Sequence, residues 1–301
     1  MESSNLFDFI GNTPLVKSHK ILVKEGVTLY FKLEGNNPGG SVKDRAAYNM
    51  IFSALERNEI KKGDCLIEAT SGNTGIALAL MAQQFGLCIE LVMPENSTKE
   101  RVQTMQVYGA KVTLTPAAIG IEGAREHANK MVKEKGYFML DQFSNDDNWK
   151  AHYKTTGPEI WRDTNGEITH FVSAMGTTGT IMGTSTFLKE KNKNIQIIGV
   201  QPTDNSKIPG IRKWSPEYLP KIFNPSKVDQ VIEVSEAEAR VMTKKLTIEE
   251  GIFAGMSSGG AISAALKLAQ TIEKGVIVVI ICDRGDRYLS CLLYTSPSPR
   301  D

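Results

Sequence analysis

The chain is poor in the features that mark specialised protein classes. It has no run of like charge, because 35 lysines and arginines nearly cancel 34 aspartates and glutamates. No basic stripe is on offer to nucleic acid, and no polybasic segment to a membrane surface. Long apolar runs are missing too: the longest, residues 276–282, is far too short to span a bilayer. The first 12 residues have no basic region ahead of an apolar core, so no signal peptide is read there. Cysteine is scarce, and Cys65, Cys88, Cys282 and Cys291 stand far apart with no C-x-x-C pair. That spacing predicts free thiols in a reducing compartment rather than a disulfide or zinc framework. His19, His127, His152 and His170 lack metal-ligand spacing and read as surface or core residues. Trp149, Trp161 and Trp214 are too dispersed for a nucleic-acid stacking platform, and Asp146 and Asp147 read as solvated turn residues. No Gly-x-Ser-x-Gly elbow occurs. What remains is a cytoplasmic protein that handles small molecules.

At 301 residues the chain can build two lobes or one large α/β domain. Short β-branched runs alternate with helical ones. Strands are expected at 27–34, 65–69, 89–93, 111–115, 169–173, 195–200, 230–234 and 276–281, with amphipathic helices between most of them. Ser97-Thr98-Lys99-Glu100 and Ser235-Glu236-Ala237-Glu238 read as capping boxes that open helices. This alternation predicts largely parallel sheets joined by right-handed crossovers. The strand–helix units before residue 140 look complete without those after it, which predicts two lobes. The proline- and serine-containing end, residues 291–301, fits none of these elements and reads as a non-native or disordered tail.

In open α/β sheets ligands sit at the carboxyl ends of strands. The loops directly after strands therefore carry the candidate chemistry. Asn37-Pro38-Gly39-Gly40-Ser41-Val42-Lys43 brings a lysine to the start of a helix, where the helix dipole lowers its pKa and suits it to Schiff-base chemistry. Thr70-Ser71-Gly72-Asn73-Thr74-Gly75 offers hydroxyls, an amide and backbone N–H groups at a helix N-terminus, a carboxylate site by construction. Gly176-Thr177-Thr178-Gly179-Thr180 reads either as a phosphate cradle or as an ordinary glycine-rich turn. It is neither a Walker A loop nor a dinucleotide fingerprint. Gly255-Met256-Ser257-Ser258-Gly259-Gly260 precedes a helix expected over 261–269, with Ser257 either a cap or a neutral hydroxyl for a ligand. Cys282-Asp283-Arg284-Gly285-Asp286 follows the last strand and suits a cleft or a solvated turn.

These loops, in this order and together with Ile10-Gly11-Asn12-Thr13-Pro14-Leu15, resemble the fold-type II enzymes that use pyridoxal phosphate. The similarity runs from about residue 5 to 290 and is nearest to the cysteine synthases, the O-acetylserine sulfhydrylases. Thr178 in the middle of the phosphate loop, Ile208-Pro209-Gly210-Ile211-Arg212 and the run from Ile281 to Tyr288 look like the cysteine synthase B branch. The resemblance implies a two-lobed, tryptophan synthase β-like α/β fold, with parallel-rich sheets flanked by helices. Residues 1–36 and 143–290 would form the larger cofactor-binding lobe, and 37–142 a smaller mobile lobe.

The implied activity is β-replacement of O-acetylserine by sulfide or thiosulfate, giving cysteine or S-sulfocysteine plus acetate. A cytoplasmic homodimer is implied, with neither nucleic acid nor membrane as partner. By the same resemblance Lys43 holds the cofactor and, once freed, removes the α-proton. Asn73 meets the cofactor's 3′-oxygen, and Gly176, Thr177, Thr178, Gly179 and Thr180 hold its phosphate. Ser257 faces the pyridine nitrogen; as a neutral partner it favours β-elimination over transamination. Thr70, Ser71, Gly72, Thr74 and Gln142 hold the substrate carboxylate. Arg212 and Asp283 sit in or near the cleft for the second substrate. The rivals are a sister cysteine synthase restricted to sulfide, a cystathionine β-synthase and a serine/threonine dehydratase, all of this fold.

Overall fold

The computed structural model describes residues 5–289 except residue 23, so the expected tail lies outside the described residues. The chain opens with β1 (Leu15–Lys17), β2 (Val27–Leu33) and α1 (Lys43–Glu56), the last beginning on the candidate lysine itself. It continues through β3 (Cys65–Ala69), α2 (Asn73–Phe85), β4 (Cys88–Pro94), α3 (Lys99–Val107), β5 (Lys111–Thr115), α4 (Gly120–Lys135) and β6 (Phe138–Met139). Two helices follow without a strand between them, α5 (Asp146–Lys154) and α6 (Thr156–Asp163). Then come β7 (His170–Ala174), α7 (Gly179–Lys191), β8 (Gln196–Pro202), β9 (Gln230–Val234), α8 (Glu236–Glu250), α9 (Met256–Thr271) and β10 (Gly275–Ile281).

The strands form two sheets. A six-stranded sheet runs β1-β2-β10-β7-β8-β9, and a four-stranded one runs β5-β4-β3-β6. Every pairing is parallel except β1 with β2. Side chains of a strand alternate between faces, so a strand buried on both sides is apolar throughout. In β10, Ile277, Val279 and Ile281 enter the core that includes α8 and α9, while Val278 and Ile280 enter the one shared with α6 and α7. The smaller sheet repeats the pattern: Leu66, Leu91 and Met93 pack with α1 and α2, while Ile67 and Val92 meet α4.

A buried ionic cluster seats α1. Lys32 Nζ lies 2.8 Å from Glu159 and donates to the Thr13 carbonyl at 2.6 Å. Arg45, two residues beyond Lys43, reaches Glu34 at 2.7 Å and Glu159 at 2.6 Å. This ties β2, α1 and α6 together within the first turn of the helix that carries the candidate lysine.

Four expectations need correction. Cys65 and Cys88 are not free thiols: they are register partners on β3 and β4, with Cα atoms 4.5 Å apart, and form a disulfide. Sequence spacing could not show this, because parallel register is set by a crossover. Ser97 does not cap α3; Thr98 is its N-cap residue, without a side-chain cap, and Ser97 Oγ donates to the Pro94 carbonyl at 2.7 Å. Ser235 does form its capping box with Glu238. Asp146 and Asp147 open α5, and Asp147 is buried and paired with Arg57 at 2.8 Å. Met256 to Gly260, expected to be loop, form the first turns of α9.

Candidate active site

One cleft of about 830 Å³ collects the loops that follow β3, β6, β7 and β8, with Lys43 among its lining residues. Lys43 is set by the exit of β10: the Val42 N–H donates to the Cys282 carbonyl at 2.8 Å, and Ser41 bridges Asp283. Burial lowers the Lys43 pKa, against the opposing pull of Asp283. Desolvation of a half-buried amine thus joins the expected helix-end effect. Cys282 itself is pushed up to about 12 by burial and by Asp283, so its thiol is neutral beside the lysine.

Thr70, Ser71, Gly72, Asn73 and Thr74 line the same cleft. Thr74 and Gln142 are buried, and the Thr74 hydroxyl donates to Gln142 Oε1 at 2.9 Å. With its acceptor occupied, the Gln142 amide is left with N–H groups to present, as a carboxylate requires. Asn73 Nδ2 donates to Asp283 at 2.6 Å, and Asn73 Oδ1 accepts from Arg287 at 2.6 Å.

Gly176 and Thr177 also line the cleft. Thr178, Gly179 and Thr180 lie behind them at the N-terminus of the 13-residue α7. Thr178 adopts a left-handed φ of 71°, and its buried hydroxyl has no partner. An orphaned hydroxyl at a helix N-terminus, next to glycines, fits an anionic group. Together with a desolvated lysine in the same cleft, the residues present fit a phosphorylated carbonyl cofactor.

Arg212 lines the cleft and stacks over Trp214 at 5.3 Å. Ser257 and Asp283, like Thr178, Gly179 and Thr180, stand outside the lining. Ser257 is buried, and a side chain at cleft-lining Gly210 would meet its Cβ at 3.3 Å. Asp283, expected in or near the second-substrate cleft, is buried and spent on internal partners: Asn73, the Tyr288 hydroxyl at 2.5 Å and the Gly255 N–H at 3.2 Å. It reaches the cleft through Asn73.

Residue patterns did not reveal Glu68, Asn148, His152 or Arg287. Glu68 is buried, and its carboxyl receives the Asp141 N–H at 3.1 Å. His152 Nδ1 pairs with Thr156 at 2.9 Å and Nε2 with Thr180 at 3.3 Å. The sole sequence signal was the i,i+4 spacing of Asn148 and His152, which puts both on one face of α5.

The family model for pyridoxal-phosphate dependent enzymes matches residues 6–283. The chain belongs to the pyridoxal-phosphate dependent enzyme family. Within it, relatives named cysteine synthase B from Pseudomonas aeruginosa and Escherichia coli are 55% and 54% identical over 287 residues. That alignment covers 95% of this chain in both cases, and 96% and 95% of those relatives. The crystal structure of a cysteine synthase from Entamoeba histolytica superposes with a TM-score of 0.93 at 39% identity, covering 99% of this chain and 92% of that one. The family cofactor, pyridoxal phosphate, is the phosphorylated carbonyl compound that the cleft fits. Among the described residues no His, Cys, Asp or Glu cluster could hold a metal, and no helix is long and apolar enough to cross a membrane.

Proposed function

We propose that this member of the family is an O-acetylserine sulfhydrylase of the cysteine synthase B type. It replaces the acetoxy group of O-acetyl-L-serine with sulfide or thiosulfate, giving L-cysteine or S-sulfocysteine plus acetate. The observation that carries this reading is the meeting of a desolvated lysine, a carboxylate turn and a phosphate loop in one cleft. The names of the relatives described above supply the reaction class.

Pyridoxal phosphate, when bound, supplies an electron sink that acidifies the α-proton and lets the β-substituent depart. The chain does the rest. Lys43 Nζ anchors the cofactor and then takes the α-proton, a task its lowered pKa suits. Thr70, Ser71, Gly72, Thr74 and Gln142 hold the substrate carboxylate. Gly176 to Thr180 hold the phosphate, with the Thr178 hydroxyl free to donate. Ser257 is the neutral partner of the ring nitrogen, and Asn73, held by Asp283, faces the ring. Arg212 offers its charge to an anionic sulfur donor, which supports the use of thiosulfate. Residues 37–142, which include the carboxylate turn, form a mobile lobe that closes over the substrate. The exposed Val241 and Ile248 on α8 support a homodimer, and the small-molecule substrates fit a cytoplasmic location.

The test is an absorbance scan of the purified protein, followed by O-acetylserine and then by sulfide, thiosulfate or homocysteine. A spectral shift on O-acetylserine, reversed by sulfide and thiosulfate, is expected. Strong preference for homocysteine overturns the assignment. Lys43→Ala should abolish the shift, and its persistence would refute the lysine's role.

A further inference from the structure

We propose that Asn148 is a positioning residue that ties the carboxylate side of the cleft to its phosphate side and fixes the Thr177 hydroxyl as a donor. This rests on the reading of the cleft given above. Asn148 lies on α5, is 3% exposed and does not line the cleft. Its Nδ2 donates to the Gln142 carbonyl at 2.7 Å and to Thr177 Oγ1 at 3.2 Å. The first of these bonds fixes the orientation of the amide, because a carbonyl oxygen can only accept. Asn148 Oδ1 then points at α7, where a Cβ on Gly179 would lie 2.1 Å away. The close approach needs glycine at 179 for space, not for backbone freedom.

The consequence falls on Thr177. A hydroxyl has one donor and two acceptor positions. Thr177 Oγ1 accepts from Asn148 Nδ2 and from the Gly179 N–H at 3.4 Å. Both acceptor positions are therefore used, and the O–H is left to donate. Thr177 lines the cleft, so its one free hydrogen is available to an anion there. Gln142 is prepared in the same sense from the other side: its backbone carbonyl is held by Asn148, and its side-chain oxygen is occupied by Thr74. One amide thus orders a donor for each anionic end of the bound molecules, and fixes the two segments relative to each other.

The isosteric exchange Asn148→Asp separates this role from simple packing. A carboxylate keeps the shape, but it accepts the Thr177 hydrogen instead of donating and repels both the Gln142 carbonyl and a phosphate. Asn148→Ala removes the bond without reversing it. Cofactor-free protein would be titrated with pyridoxal phosphate by equilibrium dialysis, with melting temperature recorded in parallel. Asn148→Ala is expected to weaken binding about tenfold, and Asn148→Asp about tenfold more. Binding by Asn148→Asp equal to or tighter than Asn148→Ala overturns the proposal, since a packing role favours the isostere.

The link to the carboxylate side is read from the amino-acid substrate. In Asn148→Ala its KM should rise several-fold more than kcat falls, and adding Gln142→Ala should raise KM less than additively. Full additivity overturns the tie. Should Asn148→Asp fail to fold, Thr177→Val takes its place: Asn148→Ala must then cost less cofactor affinity in the Thr177→Val background than in the wild type, and an equal cost refutes the link. Failure of the wild-type protein to take up pyridoxal phosphate overturns the cleft reading itself, an outcome distinct from any variant's behaviour.

Discussion

The side-chain amide of Asn73 donates to the carboxylate of Asp283 at 2.6 Å, joining the first residue of α2 to the segment that leaves β10, 210 positions later in the chain. Asp283 also accepts from Tyr288 and from the Gly255 N–H, so one buried carboxylate gathers two lining residues of the cleft and the start of α9. Burial raises its pKa, opposed first by the bonds from Tyr288 and Asn73. Asp283→Ala strands those donors and should destabilise the protein by about 2–3 kcal/mol. Because Asn73 loses its anchor, kcat/KM for O-acetylserine should also fall about tenfold. Asp283→Asn keeps an acceptor and should recover part of both losses in melting and steady-state assays.

Arg45 fills the gap between Glu34 and Glu159. Arg45→Met leaves two buried carboxylates facing each other and should cost about 3–5 kcal/mol. The pH dependence has a definite sign. Burial pushes the Glu159 carboxyl up, but Arg45 and Lys32 outweigh it and hold it at about 2, below the usual 4.5. Its contribution is therefore complete above 4.5 and is lost as pH falls toward 2. Urea midpoints measured across that range should drop steeply in the wild type, and less so in Arg45→Met.

Glu68 slopes the other way. Burial, then the nearby Asp141, raise it from 4.5 to about 8, with the Gln142 and Asp141 N–H groups and Arg125 opposing. The folded chain keeps a proton there that the unfolded chain gives up. The stability from this group therefore falls as pH climbs from 4.5 to 8. Glu68→Gln should flatten the fall in denaturant midpoint over that interval. A residual slope should survive from Asp44, which burial raises to about 7.

Gly183 seats α7 against α5. A Cβ there would lie 2.0 Å from the Trp149 carbonyl oxygen and 2.7 Å from the Tyr153 nitrogen. Backbone atoms cannot swing aside, so Gly183→Ala should cost about 1–3 kcal/mol in chemical denaturation. Cofactor affinity should fall with it, because α5 carries Asn148 and His152 onto the phosphate loop.

Much of this was legible in the order of residues. Strands 65–69, 111–115 and 230–234 occur where the sequence pattern places them, since local patterning and flanking turns suffice to define a short strand. β1 and β6, at three and two residues, are too short to carry a period and exist only because a neighbouring strand pairs with them. The Ser235 box is a local contact and was readable. Ser97 had the same pattern, but its hydroxyl found a carbonyl closer at hand.

For the site, the sequence by itself determined which chemical groups would be available: a lysine at a helix start, a hydroxyl-rich turn and a glycine-threonine loop. Each is a local arrangement of a few adjacent residues, and composition and spacing define it. Only the tertiary structure decided which groups face the cleft and what holds them there. Asp283 turned inward to Asn73, and Asn148 turned out to span Gln142 and Thr177. Those assignments rest on contacts between distant segments, fixed by how two sheets and their helices pack, and no local pattern encodes them.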